Sequence, residues 1–221
     1  MKPKISLIMP IYNAEATLER ALNSIPVAKD VQIILLDDGS TDRSWNIALE
    51  WWHQHAEDGN GSIIHRWEGN KGIAPTMNLG FSLARGEYIV SLSSDDYYIT
   101  DFEQFRPLLD GKNDLIYFDL QVDDGSVWHL NEQSKKEFVG AVKFIRREFL
   151  GDTRILDLKY KEDLPFSVAL QAKNPKEVFT GIVLKHYSWP REGSLTWQAT
   201  QDYEQNRELW AKNCGIKTEQ N

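Results

Sequence analysis

One cysteine, Cys214, is all that the 221 residues contain, which excludes a disulfide framework and a cysteine-based zinc site and suits a reducing cytoplasm. No run approaches the ~20 apolar residues of a membrane-spanning helix. The apolar stretch from Ile5 to Met9 is too short for a secretory signal and has no small-residue cleavage site after it, so we expect no leader and at most peripheral contact with a membrane. Positive charge is also scarce. Lysine and arginine number 25 against 33 acidic residues, a net charge of -8, and the basic stripe of a nucleic-acid binder is missing. No Gly-x-Gly-x-x-Gly follows the first apolar run and there is no P-loop, which sets aside dinucleotide and P-loop chemistry. An acidic chain can still hold phosphate locally, through a metal ion, a helix N-terminus or a few placed basic side chains.

What the sequence does have is alternation. Residues 5–9 read as a buried strand stopped by Pro10, and residues 14–25 carry apolar positions at helical spacing up to Pro26. A continuous apolar run at 31–36 predicts a strand covered on both faces, followed by a helix from Thr41-Asp42 to about His55. Residues 63–65 predict a third strand, 74–84 a helix and 88–92 a fourth strand. This order argues for an α/β domain with a mainly parallel central sheet flanked by helices. The second half is less regular. A hairpin is expected over 115–122 and 127–130, strand or helix over 143–149, a helix over 164–172, a strand over 178–186 and a terminal helix over 197–211. No repeat, low-complexity tract or linker divides the chain, so one domain is expected.

Polar clusters fall where such a sheet binds ligands, at the carboxyl ends of its strands. Asp37-Asp38-Gly39-Ser40 follows the second strand; its residues suit a turn and a helix cap, or a carboxylate that accepts hydrogen bonds from a base or ribose. Ser94-Asp95-Asp96 follows the fourth strand. Two adjacent carboxylates repel unless a cation or donor stands between them, and hard divalent cations take such oxygens together with substrate phosphates; a solvated turn is the other reading. Glu162-Asp163 precedes Leu164-Pro165, which makes Asp163 an expected N-cap and also a candidate general base for an acceptor hydroxyl. The histidines offer less. His53 and His55 do not share a helix face, His65 and His129 read as structural or surface residues, and His186 ends a strand beside Arg191-Glu192-Gly193-Ser194.

Taken in order, these clusters resemble the inverting glycosyltransferases of family 2. The resemblance runs through Ser6-Leu7-Ile8-Met9-Pro10-Ile11-Tyr12-Asn13, Leu36-Asp37-Asp38-Gly39-Ser40-Thr41-Asp42, Asn70-Lys71-Gly72 with Asn78-Leu79-Gly80, Ala84-Arg85-Gly86-Glu87-Tyr88-Ile89, Ser94-Asp95-Asp96 and Glu162-Asp163. It implies a GT-A fold, with a nucleotide-sugar-binding half over 1–98 and a smaller acceptor-side β/α portion over 99–221. By the same resemblance Pro10, Tyr12 and Asn13 line a base and ribose pocket, Asp38 bonds a uracil-type edge, and Lys71 approaches the nucleotide. Asp95 faces ribose or sugar, Asp96 binds a divalent metal (manganese or magnesium) bridging the diphosphate, Asp163 deprotonates the acceptor, and Arg191 meets phosphate from a loop over 186–196. The implied partners are a nucleoside-diphosphate sugar, UDP-linked by expectation, and a saccharide or glycolipid acceptor. The implied setting is polysaccharide or lipid-linked glycan assembly at the cytoplasmic face of a bacterial membrane.

Two departures stand out: Ser93 replaces an aspartate common in the family, and the acceptor portion is short. A non-catalytic nucleotide-sugar-binding subunit is the alternative that these departures leave, although such a protein has no need of the Glu162-Asp163 pair. A sugar nucleotidyltransferase is disfavoured, because Pro10-Ile11-Tyr12-Asn13 is not the glycine-rich basic loop that those enzymes carry. Trp128, Trp189 and Trp197 lie in the variable half and are the aromatic candidates for stacking on an acceptor.

Overall fold

The computed structural model describes residues 2–55, 61–136, 141–158 and 162–188. Its strands are β1 (Ile5–Ile11), β2 (Val31–Asp37), β3 (Ile63–Arg66), β4 (Tyr88–Ser91), β5 (Tyr97–Tyr98), β6 (Leu115–Val122), β7 (Val127–Trp128), β8 (Lys143–Arg146) and β9 (Glu177–Tyr187). The helices are α1 (Leu18–Asn23), α2 (Ser44–His55), α3 (Ile73–Leu83), α4 (Arg147–Leu150) and α5 (Asp163–Gln171). The expected terminal helix over 197–211 and Arg191 lie outside the described residues.

All the described strands join one sheet, in the order β3-β2-β1-β4-β8-β6-β9-β5, with β7 paired to β6. The first four run parallel, as the alternation predicts. Beyond them the sheet is mixed: β8 is antiparallel to β4 and β6, β9 is parallel to β6, and β5 is antiparallel to β9. The expectation of a mainly parallel sheet therefore holds for the first half only. The carboxyl ends of β1, β2, β4, β6 and β9 all lie at one edge.

The sheet has to curl. Residues 92–96 link β4 to β5, yet β8, β6 and β9 lie between these strands in the sheet. Laid flat, that order would put β5 about 19 Å from β4, near the full stretch of such a link. The link is instead spent on a turn closed by the Asp96 amide on the Ser93 carbonyl (3.2 Å). Curling brings the end of β9 back against the turn that follows β4.

β1 and β2 are buried on both faces, with Ile5, Leu7, Ile8, Met9 and Ile33 to Leu36 fully enclosed; each such side chain contributes roughly 1.5–3 kcal/mol by leaving water. α3 lies on β1 and β2, where Gly80 lets Ile8 and Leu36 approach, and Phe81 stacks on Phe166 of α5 at 5.5 Å. Phe102, Phe105, Phe118 and Phe144 form an aromatic cluster in the second half.

Two polar residues interrupt the apolar strands for a reason. Ser6 Oγ donates to Gln32 Oε1 (2.6 Å), and the pair accepts the amides of Arg85 and Gly86 at 2.8 Å each. This seats the turn before β4 so closely that a Cβ on Gly86 would stand 2.4 Å from the Ser6 nitrogen and 2.6 Å from the Ile5 carbonyl carbon. Gly86→Ala should therefore lower stability by about 2–3 kcal/mol, read as a shift of the urea midpoint at unchanged slope. A shift below about half a kcal/mol would mean that the strand yields at this point.

Local differences from the sequence reading have visible causes. The helix expected from residue 14 begins at Leu18, after a turn in which the amides of Ala14 and Glu15 donate to Ser44 Oγ and Asp42 Oδ2. Residues 143–149 resolve into a strand that passes directly into α4. Asp163 is the first residue of α5 rather than its N-cap, a position held by Glu162 with no side-chain cap bond.

Candidate functional site

The loops after β1 and β2 are laced to each other. Asn13 sits in the left-handed region (φ 45), which a short amide side chain tolerates. Its Oδ1 accepts the Thr41 amide (2.9 Å), while its own amide donates to Ser40 Oγ (3.0 Å). One step on, the Arg43 amide donates to Glu15 Oε2 (3.0 Å). The Asn13 side-chain oxygen thus holds the loop. Tyr12 is left exposed at 47%, and Pro10 is half-buried.

Asp38 is buried at the end of β2 and both of its oxygens are occupied. Oδ1 accepts the Lys71 amide (2.7 Å) and Oδ2 the Gly72 amide (2.9 Å). Burial holds its carboxyl above the usual carboxylate range, against the opposing pull of these two amides. Gly39 turns the chain at φ +74, so tightly that a Cβ would meet the Gly69 backbone at 2.5 Å. The acidic turn after β2 and the Asn70-Lys71-Gly72 segment are therefore one unit, with the Lys71 side chain exposed at its edge. Asp37, next door, accepts the Ser40 amide (3.1 Å) and pairs with Arg66 at 3.3 Å.

At the end of β4 the two aspartates part company. Asp95 is half-buried, and its carbonyl receives Arg20 Nη2 (3.1 Å) and Ser188 Oγ (2.9 Å). Asp96 is 1% exposed. Its Oδ2 accepts Lys185 Nζ (2.9 Å) and its Oδ1 the Ser188 amide (3.0 Å). Arg20 also lies over the Tyr97 ring (4.4 Å), which stacks on His186 at 4.5 Å.

Asp163 opens α5 half-buried, with Phe166 and Leu170 anchoring the helix to the core. The far end is tied down by Gln171 Nε2, which donates to the Tyr117 hydroxyl (3.1 Å) and to Glu177 (2.6 Å). Lys143 on β8 is buried with Nζ 5.5 Å from the Tyr117 ring. Burial pushes its ammonium down to about 8, against the pull of Asp163 and then Glu177. Between that value and the ordinary lysine range the unfolded chain holds the proton more tightly, so this residue's contribution makes the protein more stable as pH rises through the window. From about pH 7.5 to about pH 10, wild type should gain about 2 kcal/mol of unfolding free energy relative to Lys143→Met in urea titrations. Parallel pH curves for the two proteins would remove the burial cost from Lys143.

The sequence reading missed Lys143 and Lys185, although a charged residue inside each apolar strand run was a readable sign. It also passed over His129, whose Nδ1 lies 2.5 Å from buried Asp119 Oδ2. Among the described residues no group of three or more His, Cys, Asp or Glu stands together as a ready metal site. Within the same residues no helix is long and apolar enough to cross a membrane.

Comparison with known proteins follows the same outline. The model of the family described as Glycosyl transferase family 2 matches residues 6–179. An uncharacterized glycosyltransferase of Bacillus subtilis, EpsJ, is 36% identical over 99 residues, which are 44% of this chain and 27% of EpsJ. Among solved structures, S. aureus TarS in complex with UDP-GlcNAc superposes with a TM-score of 0.71 at 21% identity, covering 87% of this chain and 60% of that one. A mannosyltransferase from Pyrobaculum calidifontis, in complex with GDP-Man and Mn2+, gives 0.71 at 15% identity over 99% of this chain and 66% of its own. These structural likenesses show a GT-A-like fold, and this chain spans only part of each protein's length.

Proposed function

The chain belongs to glycosyl transferase family 2, and from that premise we propose that it transfers a sugar from a nucleoside diphosphate, UDP by preference, to an acceptor hydroxyl with inversion. The observation that carries this reading is the convergence, at the carboxyl edge of three adjacent strands, of Tyr12 and Asn13, of Asp38 with Lys71, and of Asp95. Residues 1–98 serve the donor and 99–221 the acceptor. In the reaction the acceptor hydroxyl gives its proton to the Asp163 carboxylate as its oxygen bonds to the anomeric carbon. The bond from that carbon to the diphosphate breaks, and its electron pair leaves with the nucleoside diphosphate. One carboxylate and one displacement invert the centre. Tyr12 offers a ring face to the base, while Lys71 and Arg191 bring positive charge to the diphosphate.

A donor-borne manganese or magnesium ion would offset charge on the leaving group. The mannosyltransferase relative is known with manganese, but Asp96, the expected ligand, does not fit that role here. Its oxygens face an ammonium and an amide inside the protein, and no step is assigned to a metal on it. The acceptor is a saccharide or glycolipid of bacterial surface glycan assembly, met at the cytoplasmic face.

The test is calorimetric titration with UDP and with GDP, with and without manganese, followed by UDP release from a panel of UDP-sugars. UDP binding in preference to GDP supports the proposal. A folded protein that binds neither nucleotide overturns it.

A further inference from the structure

Lys185 is 2% exposed at the end of β9, opposite Tyr98 in the pairing with β5. Either partner of its contact with Asp96 would be costly alone at this depth; together they offset each other, and removing one strands the other. The pair does not act alone. The Ser188 amide closes the second Asp96 oxygen, the Ser188 hydroxyl holds the Asp95 carbonyl, and Arg20 reaches both Asp95 O and Ser188 Oγ (3.1 and 3.4 Å). Thr17 Oγ1 fixes the Ser94 carbonyl at 2.9 Å. A divalent cation on Asp96 would have to displace the ammonium or sit against it.

We propose that Lys185 is a positioning residue for the donor site. Its ammonium is the cation that Asp96 carries. The Lys185–Asp96–Ser188 latch fixes the backbone of Ser94 and Asp95 and the point where the chain leaves β9, and a metal ion accompanying the diphosphate is ligated without Asp96. This rests on the reading of the carboxyl edge as a nucleoside-diphosphate site.

The experiment titrates UDP, with and without manganese, into wild type, Lys185→Met, Lys185→Arg, Asp96→Asn and the double variant Asp96→Asn/Lys185→Met, with thermal melts of each. Both single neutralisations should weaken UDP about tenfold, the scale of a displaced binding group, and leave the ratio between affinities with and without manganese as in wild type. Lys185→Arg should recover part of the loss. The double variant, with no stranded charge, should melt above Lys185→Met, and it keeps the test open where that single variant does not fold. Loss of the manganese ratio in Asp96→Asn but not in Lys185→Met would give the metal to Asp96 and overturn the inference. So would wild-type UDP affinity in both single variants. A wild type that binds no UDP removes the underlying reading, and a wild type that binds UDP beside indifferent variants removes only this one.

Discussion

Asp163→Asn should slow sugar transfer by about 10³-fold, within the range that a positioned general base contributes, while UDP binds within about twofold of wild type. The substitution keeps the shape of the side chain and the start of α5, whose hold on the core comes from Phe166 and Leu170. What goes is the charge that takes the acceptor proton, and with it an anion that favours the charged form of Lys143. Glu162 is the built-in control. It adjoins Asp163 in sequence but stands before the first residue of α5, so Glu162→Gln should retain most turnover. The measurement is UDP release with a donor and acceptor that wild type uses, beside a UDP titration of each variant. Turnover above a tenth of wild type in Asp163→Asn, or an equal loss in Glu162→Gln, would take the base role from Asp163.

The second large effect falls on donor affinity. Asp38→Ala should weaken UDP by about 100-fold and lower stability by about 2–6 kcal/mol, since two amides lose their acceptor at once at about 1–3 kcal/mol each. Those amides belong to Lys71 and Gly72, so the loss is felt where α3 starts and where the Lys71 ammonium is presented. Asp38→Asn should lie between wild type and alanine, because a carboxamide has one oxygen and would point its NH2 at the second amide. Urea unfolding and UDP calorimetry on the three proteins check this. If Asp38→Ala lost affinity while keeping wild-type stability, the amide bonds would not matter to the fold, and Asp38 would act on the nucleotide directly.

Much of this was readable before any fold was seen, because the signals were local. β1 and β2 announce themselves as apolar runs interrupted only by Ser6 and Gln32 before their last residues, and the acidic turns after β2 and β4 stand where a parallel sheet gathers ligands. Local reading fails where distance in sequence is large. β5 is two residues long, too short for any period, and exists only because β9 pairs with it. The turn ahead of the helix after β1 is held by side chains from the loop after β2. Nothing in the sequence around Asp96 announces its partner Lys185, 89 residues away. The mixed second half follows from pairings that no window of sequence contains.

β9 leaves a mark on how the gene can change length. Its pairing with β6 slips between Tyr117 and Leu120, beside Gly181 at φ 65. Past that irregularity the strand is in strict register, with Lys185 turned to Asp96 and its neighbour His186 to Tyr97 and Asp123. Deleting one codon there would set the His186 imidazole on Asp96, and inserting one would set the Lys185 ammonium against the Tyr97 ring. A codon gained or lost at the irregular stretch can be absorbed by the bulge. Within β9, a change of length is therefore tolerated at the bulge and disruptive in the last residues.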